Sequence, residues 1–95
     1  MQVQIKLVGV LVGIVGEDEL LLELEENGDV AKLVKKFSAK YKDRFEKNQI
    51  DPVLWDPRIN SIILINGKDA EVLDGIKTKL HNGDLVTIIS VSHGG

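Results

Sequence analysis

Residues 84–91 read DLVTIISV. Strand alternation sorts them into Leu85, Thr87 and Ile89 on one face and Val86, Ile88 and Ser90 on the other. Both sets are largely apolar, so the segment reads as a strand in the middle of a sheet rather than at its edge. Residues 61–67, SIILING, repeat the pattern, with Ile62 and Leu64 set against Ile63 and Ile65. Asn66–Gly67 then signals a tight type I′ turn, because both central positions need φ > 0. DAEVL (69–73) is expected to be a short edge strand, and Gly75 and Asn82–Gly83 mark further turns.

Before these strands comes one helix. Val30, Leu33, Val34, Phe37 and Tyr41 recur at helical spacing and make one apolar stripe. Asp29 is placed to cap it by accepting a free backbone N–H. Lys32, Lys35, Lys36 and Lys40 fall on the opposite face. They read first as a solvated face; the sharper alternative is a docking patch for an acidic partner. Further upstream, VQIKLV (3–8) and ELLLELE (19–25) alternate as half-buried strands and pair as a hairpin. The intervening GVLVGIVGED (9–18) is expected to be a glycine-punctuated turn carrying apolar side chains near the surface. Residues 46–60, with Pro52 and Pro57, read as a loop whose Trp55 packs over a core edge.

Two strands, a helix, a strand, a short element and a returning central strand describe an α+β fold. The expected architecture is a ubiquitin-like β-grasp roll: a mixed sheet of four or five strands covered on one face by one main helix. Residues 1–91 form that domain and residues 92–95 a flexible C-terminal tail. A two-layer roll leaves one sheet face open. Ile63, Ile65, Val86 and Ile88 are expected there as a partner-docking surface.

Composition narrows the function. Ninety-five residues make one domain. The net charge of −3 argues against a broad nucleic-acid-binding surface, though not against a local basic patch, and no direct nucleic-acid partner is expected. With no cysteine, a disulfide framework, a thiol nucleophile and a thiolate metal site are all excluded. The opening MQVQIKLVGV lacks the basic region and cleavage site of a signal peptide, and no run is long enough to span a bilayer. A cytoplasmic protein, monomeric on its own, is expected. Two histidines, His81 and His93, supply metal or general-base chemistry only thinly. Ser92 has no base–orienter pair nearby in sequence, so no catalytic residue and no metal ligand is assigned.

The segment ILINGKDAEVLDGIKTKLHNGDLVTIISVSHGG (63–95) resembles the C-terminal part of the MoaD and ThiS sulfur carriers, and most of all the ubiquitin-related modifier. The matching features are Asn66–Gly67 ending a strand, Leu73 before Gly75, Leu80 before Gly83–Asp84, the apolar last strand and the terminal Gly94–Gly95. Many MoaD chains carry a Pro-Pro pair before the tail. The His-Gly-Gly ending here is closer to the modifier.

The resemblance implies a substrate and carrier rather than an enzyme. A ubiquitin-activating-type adenylating enzyme would use ATP to activate the Gly95 carboxylate, reading Ser92, His93 and Gly94 as the tail enters. A persulfide donor would then leave a thiocarboxylate on Gly95. The acceptor would be a tRNA, through a tRNA thiolase, or a molybdopterin precursor, through the molybdopterin synthase large subunit. Conjugation to protein lysines is the modifier's other outcome. No cofactor would be bound by the chain itself. The competing class is a non-covalent β-grasp interaction module, in which the Gly-Gly would be incidental.

Overall fold

The computed structural model describes residues 1–48 and 59–92. The strands are β1 (Gln2–Gly9), β2 (Glu19–Glu23), β3 (Ile59–Ile65), β4 (Lys68–Asp69) and β5 (Leu85–Ser92). The helices are α1 (Val10–Val15), α2 (Val30–Lys40) and α3 (Lys42–Lys47), with 3₁₀ turns at Ala70–Val72 and Gly75–Lys77. One mixed sheet runs β2-β1-β5-β3-β4. β5 lies between β1, which it pairs in parallel, and β3, which it pairs antiparallel. The expected two-layer β-grasp roll is therefore present, with the last strand central.

α2 forms as its stripe requires. Val30, Leu33, Val34, Phe37 and Tyr41 are all buried, and the Asp29 carboxylate accepts the Lys32 N–H at 2.9 Å. They pack on Val3, Ile5 and Leu7 of β1, Leu20 and Leu22 of β2, and Val86 and Ile88 of β5. Apolar burial of this kind is the main favourable term in folding. At the β3–β4 turn Asn66 and Gly67 have φ of 50° and 87°, as a type I′ turn demands. The Asn66 side chain ties this turn to β5. Its Nδ2 donates to Asp84 at 2.9 Å, and its Oδ1 accepts the Leu85 N–H at 2.9 Å.

Three expectations need correction. Residues 10–15 form a helix, not a turn, and Leu11 and Val15 are each only 1% exposed. The glycines misled because they are helix punctuation: Gly9 opens α1, and Gly16 closes it at φ 87° with its N–H bonded to Val12 O at 2.9 Å. Second, the apolar stripe continues past Tyr41 to a fully buried Phe45, on α3. The Phe37 ring centroid lies 5.3 Å from Tyr41 and 6.0 Å from Phe45. Third, the edge strand at 69–73 shrinks to Lys68–Asp69. The Asp69 carboxylate accepts the Glu71 N–H at 2.9 Å and turns the chain into the 3₁₀ segment. The expected loop at 46–60 overlaps the end of α3 and the start of β3; Trp55 and both prolines lie outside the described residues.

Candidate functional site: the open sheet face and the end of β5

The cross-strand register decides which side chains β5 presents. Ile5 pairs with Val86 and Leu7 with Ile88, while Ile63 pairs with Ile88 and Ile65 with Val86. Directly paired residues share a face, so all of these point at α2. Val86 and Ile88 are fully buried, Ile65 is 7% exposed, and Ile63 packs against the core. The docking face expected at Ile63, Ile65, Val86 and Ile88 is thus the hydrophobic core. The cause is physical: where both faces of a strand are apolar, the period of two leaves its phase undetermined.

The opposite phase builds the open face. Val8, Ile89 and Ile62 form one row across β1, β5 and β3. Val8 is 41% exposed and Ile62 49%. Val91, the next outward-facing residue along β5, is 55% exposed. Leu64 and Ile89 are half-buried and extend the apolar area. Lys6 lies between Glu19 and Thr87 in the neighbouring row and supplies a polar border. An exposed apolar surface with a polar rim has the character of a protein–protein contact site.

This patch sits where β5 leaves the sheet. Gly9, the last residue of β1, pairs with Ser90, and Ile59 pairs with Ser92. The exit is tightly built. Ser90 is fully buried; its Oγ accepts the Leu11 N–H at 3.1 Å and donates to Val8 O at 3.3 Å. One hydroxyl therefore satisfies a free donor at the start of α1 and fastens it to β5. The sequence reading has Gly9 only as turn punctuation and Ser90 only as one residue of a strand face; a lone Ser in an apolar strand is the available signal for this contact. Ser92 closes β5, while His93, Gly94 and Gly95 lie outside the described residues.

His81 is not near this end. It precedes β5, exposed, with Nδ1 3.8 Å from an Asp84 carboxylate oxygen. The strand that separates it from residue 92 is about 23 Å long. Among the described residues no group of three or more His, Asp or Glu side chains is arranged to hold a metal. No helix among them is long and apolar enough to cross a membrane.

On the helical side a bracket joins α1 to α3. The Tyr41 hydroxyl donates to Glu17 Oε2 at 2.6 Å, and Arg44 Nη1 donates to Val15 O at 2.7 Å, covering the C-terminal end of α1. Burial, then the bond to Glu17, pushes the Tyr41 pKa up to about 12.

Comparison with known proteins agrees with this geometry. No curated protein matches the chain. The solved structures similar to it include SAMP1 from Haloferax volcanii, at TM-score 0.74 and 17% identity over 100% of both chains. A putative molybdopterin converting factor subunit 1 from Pyrococcus furiosus aligns at TM-score 0.65 and 23% identity, over 94% of this chain and 95% of that one. At these identities both show a shared fold. Urm1 from Trypanosoma brucei aligns at TM-score 0.69 and 26% identity, over 99% of this chain and 95% of that one. The model of the ubiquitin-related modifier family, Urm1, matches residues 2–95, and the chain belongs to that family of ubiquitin-like sulfur carriers and modifiers.

Proposed function

We propose that this protein carries sulfur on its C-terminal carboxylate. An adenylating enzyme of the ubiquitin-activating type docks on the open sheet face, and the tail that follows Ser92 enters its ATP site. A carboxylate oxygen of Gly95 attacks the α-phosphorus of ATP and expels pyrophosphate. The acyl adenylate now has AMP as a good leaving group. The outer sulfur of a persulfide attacks the carbonyl carbon and AMP departs. A thiol then cleaves the resulting acyl disulfide, which leaves a thiocarboxylate on Gly95 and a disulfide on the donor. The thiocarboxylate passes its sulfur to a tRNA or a molybdopterin precursor. Alternatively, a lysine amine takes the activated acyl group and the chain becomes a modifier. Glycines at 94 and 95 suit a narrow channel, because they add no side chain and allow any extended path.

The observation that supports this reading most is the position of β5. It is held between two strands and ends beside the apolar row of Val8, Ile89 and Ile62. A partner seated on that row has the tail within reach. Family membership supports the same activating partner and the role of carrier rather than enzyme. Deletion of Gly95 tests the reading. ATP–pyrophosphate exchange by the activating enzyme is expected to stop while the melting temperature stays unchanged. Exchange that survives the deletion would move the reactive carboxylate elsewhere.

A further inference from the structure

A second surface lies at the opposite pole. β2 is an end strand of the sheet, paired only with β1. Leu24 and Met1 bond to each other in both directions, with Leu24 N to Met1 O at 2.8 Å and Met1 N to Leu24 O at 2.7 Å. Antiparallel pairing alternates. Leu22 and Leu20 therefore point their backbone groups inward, and Leu21 and Glu23 point theirs outward. By this alternation the Leu21 and Glu23 N–H groups face away from β1, on the side of β2 that carries no further strand. The Glu23 carbonyl is covered by the Lys36 ammonium. A lysine over a free strand edge is a common guard against unwanted pairing.

Just past this edge, between the Leu24–Gly28 segment that follows β2 and the lysine face of α2, lies a groove of about 490 Å³. Leu24 and Ala39 are its apolar lining, and Lys32, Lys35 and Lys36 are its charged lining against the single carboxylate of Glu25. The groove is thus net positive on a chain whose net charge is −3. On the other side of the same edge Leu21 is 57% exposed.

We propose that this groove binds an extended acidic peptide segment of a partner protein, added as a sixth strand on β2. Backbone groups of the peptide pair with Leu21 and Glu23. Its alternate side chains meet Leu24 and Ala39 on the helix side and Leu21 on the open side. Flanking carboxylates reach Lys32, Lys35 and Lys36, and Lys36 yields the Glu23 carbonyl to a peptide N–H. Strand addition of this kind takes affinity from main-chain bonds and specificity from side-chain pockets. A nucleic-acid backbone fits less well, because it offers no ladder of N–H and C=O groups to the edge amides. A second copy of β2 would bring the exposed Glu19 and Glu23 of both copies together. The groove adjoins Met1, at the start of β1, whereas β5 ends beside Gly9 at the other end. Peptide and activating enzyme can bind together.

The test is an NMR titration of the full ¹⁵N-labelled chain with a blocked peptide of Val-Ile-Val-Ile followed by four aspartates. Controls are the same peptide ending in four lysines, and an oligouridylate. The acidic peptide is expected to shift the amides of Leu21, Glu23 and residues 32–39 and to slow hydrogen exchange at Leu21 and Glu23. Lys32→Glu with Lys35→Glu should weaken binding by about tenfold or more. Lys35→Gln, a milder change at an exposed position, should weaken it less and keep the fold. Deleting Gly95 should leave the affinity unchanged, which separates this result from the tail chemistry. The proposal is overturned by an absence of shifts, by shifts confined to the open face, by equal binding of the lysine peptide, or by tighter binding of the oligouridylate.

Discussion

A Cβ placed on Gly9 would lie 1.8 Å from the Ser90 carbonyl oxygen. Gly9 also sits at φ 98°, a conformation that side chains disfavour. At this point β1 turns into α1 while β5 passes alongside toward the tail. Gly9→Ala is expected to cost about 3 kcal/mol or more, since backbone must move and strain is added. Urea unfolding measures this. A loss well below about 1 kcal/mol would mean that the close approach of β1 to β5 is not fixed.

Tyr41 and Glu17 give a pH-dependent term. The folded-state pKa of Tyr41, about 12, lies above its ordinary value of 10.0. The contribution is therefore complete below pH 10 and is lost as pH rises from 10 through 12. Tyr41→Phe should lose about 1 kcal/mol near neutral pH, the usual net worth of such a bond. Its stability should also fall less than the parent's between pH 10 and 12. Parallel stability profiles of the two proteins across that range would contradict the raised pKa, which burial and then the bond to Glu17 produce.

Ser38 is 5% exposed, and its hydroxyl has no hydrogen-bond partner among the described residues. An unpaired buried hydroxyl is unfavourable. Ser38→Ala is expected to leave the melting temperature unchanged or to raise it, by up to about 1 kcal/mol of stability. A clear loss would reveal a partner for the hydroxyl.

The two faces of β5 and β3 should respond oppositely. Ile88→Ala removes a fully buried side chain and is expected to cost about 2–5 kcal/mol. Ile62→Asp lies on the open face, where Ile62 is half exposed, and should change stability by no more than about 1 kcal/mol. It should nevertheless raise the concentration needed for half-maximal activation by the adenylating enzyme. Thermal melts and a steady-state activation assay read the two effects separately. Unchanged activation of the Ile62 variant would remove the open face as the docking surface.

What could be read from the chain alone depended on periodicity that had one answer. The stripe from Val30 to Tyr41 fits only a helix, and Asn66–Gly67 fits only a tight turn, so α2, its cap and the β3–β4 turn were legible. The central position of β5 was legible because both its faces are apolar. That same property concealed its phase: the neighbours Ile5 and Leu7 bury Val86 and Ile88, and only the register with β1 shows it. α1 was concealed because Gly9 and Gly16 look like turn residues until the buried pair Leu11 and Val15 is seen at helical spacing. Phe45 stands four residues after Tyr41, so the stripe was open to extension; the non-helical backbone at Tyr41, which puts Phe45 on a separate helix, leaves no mark in that spacing. The Gly94–Gly95 tail was evident in the sequence, whereas the apolar row beside its exit needed three strands to be brought together.

Transfer of sulfur to Gly95 is read by intact-mass spectrometry after incubation with the cognate adenylating enzyme, ATP and a persulfide donor. The expected result is a mass increase equal to one sulfur replacing one oxygen, located by fragmentation to Gly95 and absent when ATP is omitted. An unchanged mass, with an enzyme shown to be active on another carrier, or a sulfur placed on any other residue, would contradict it.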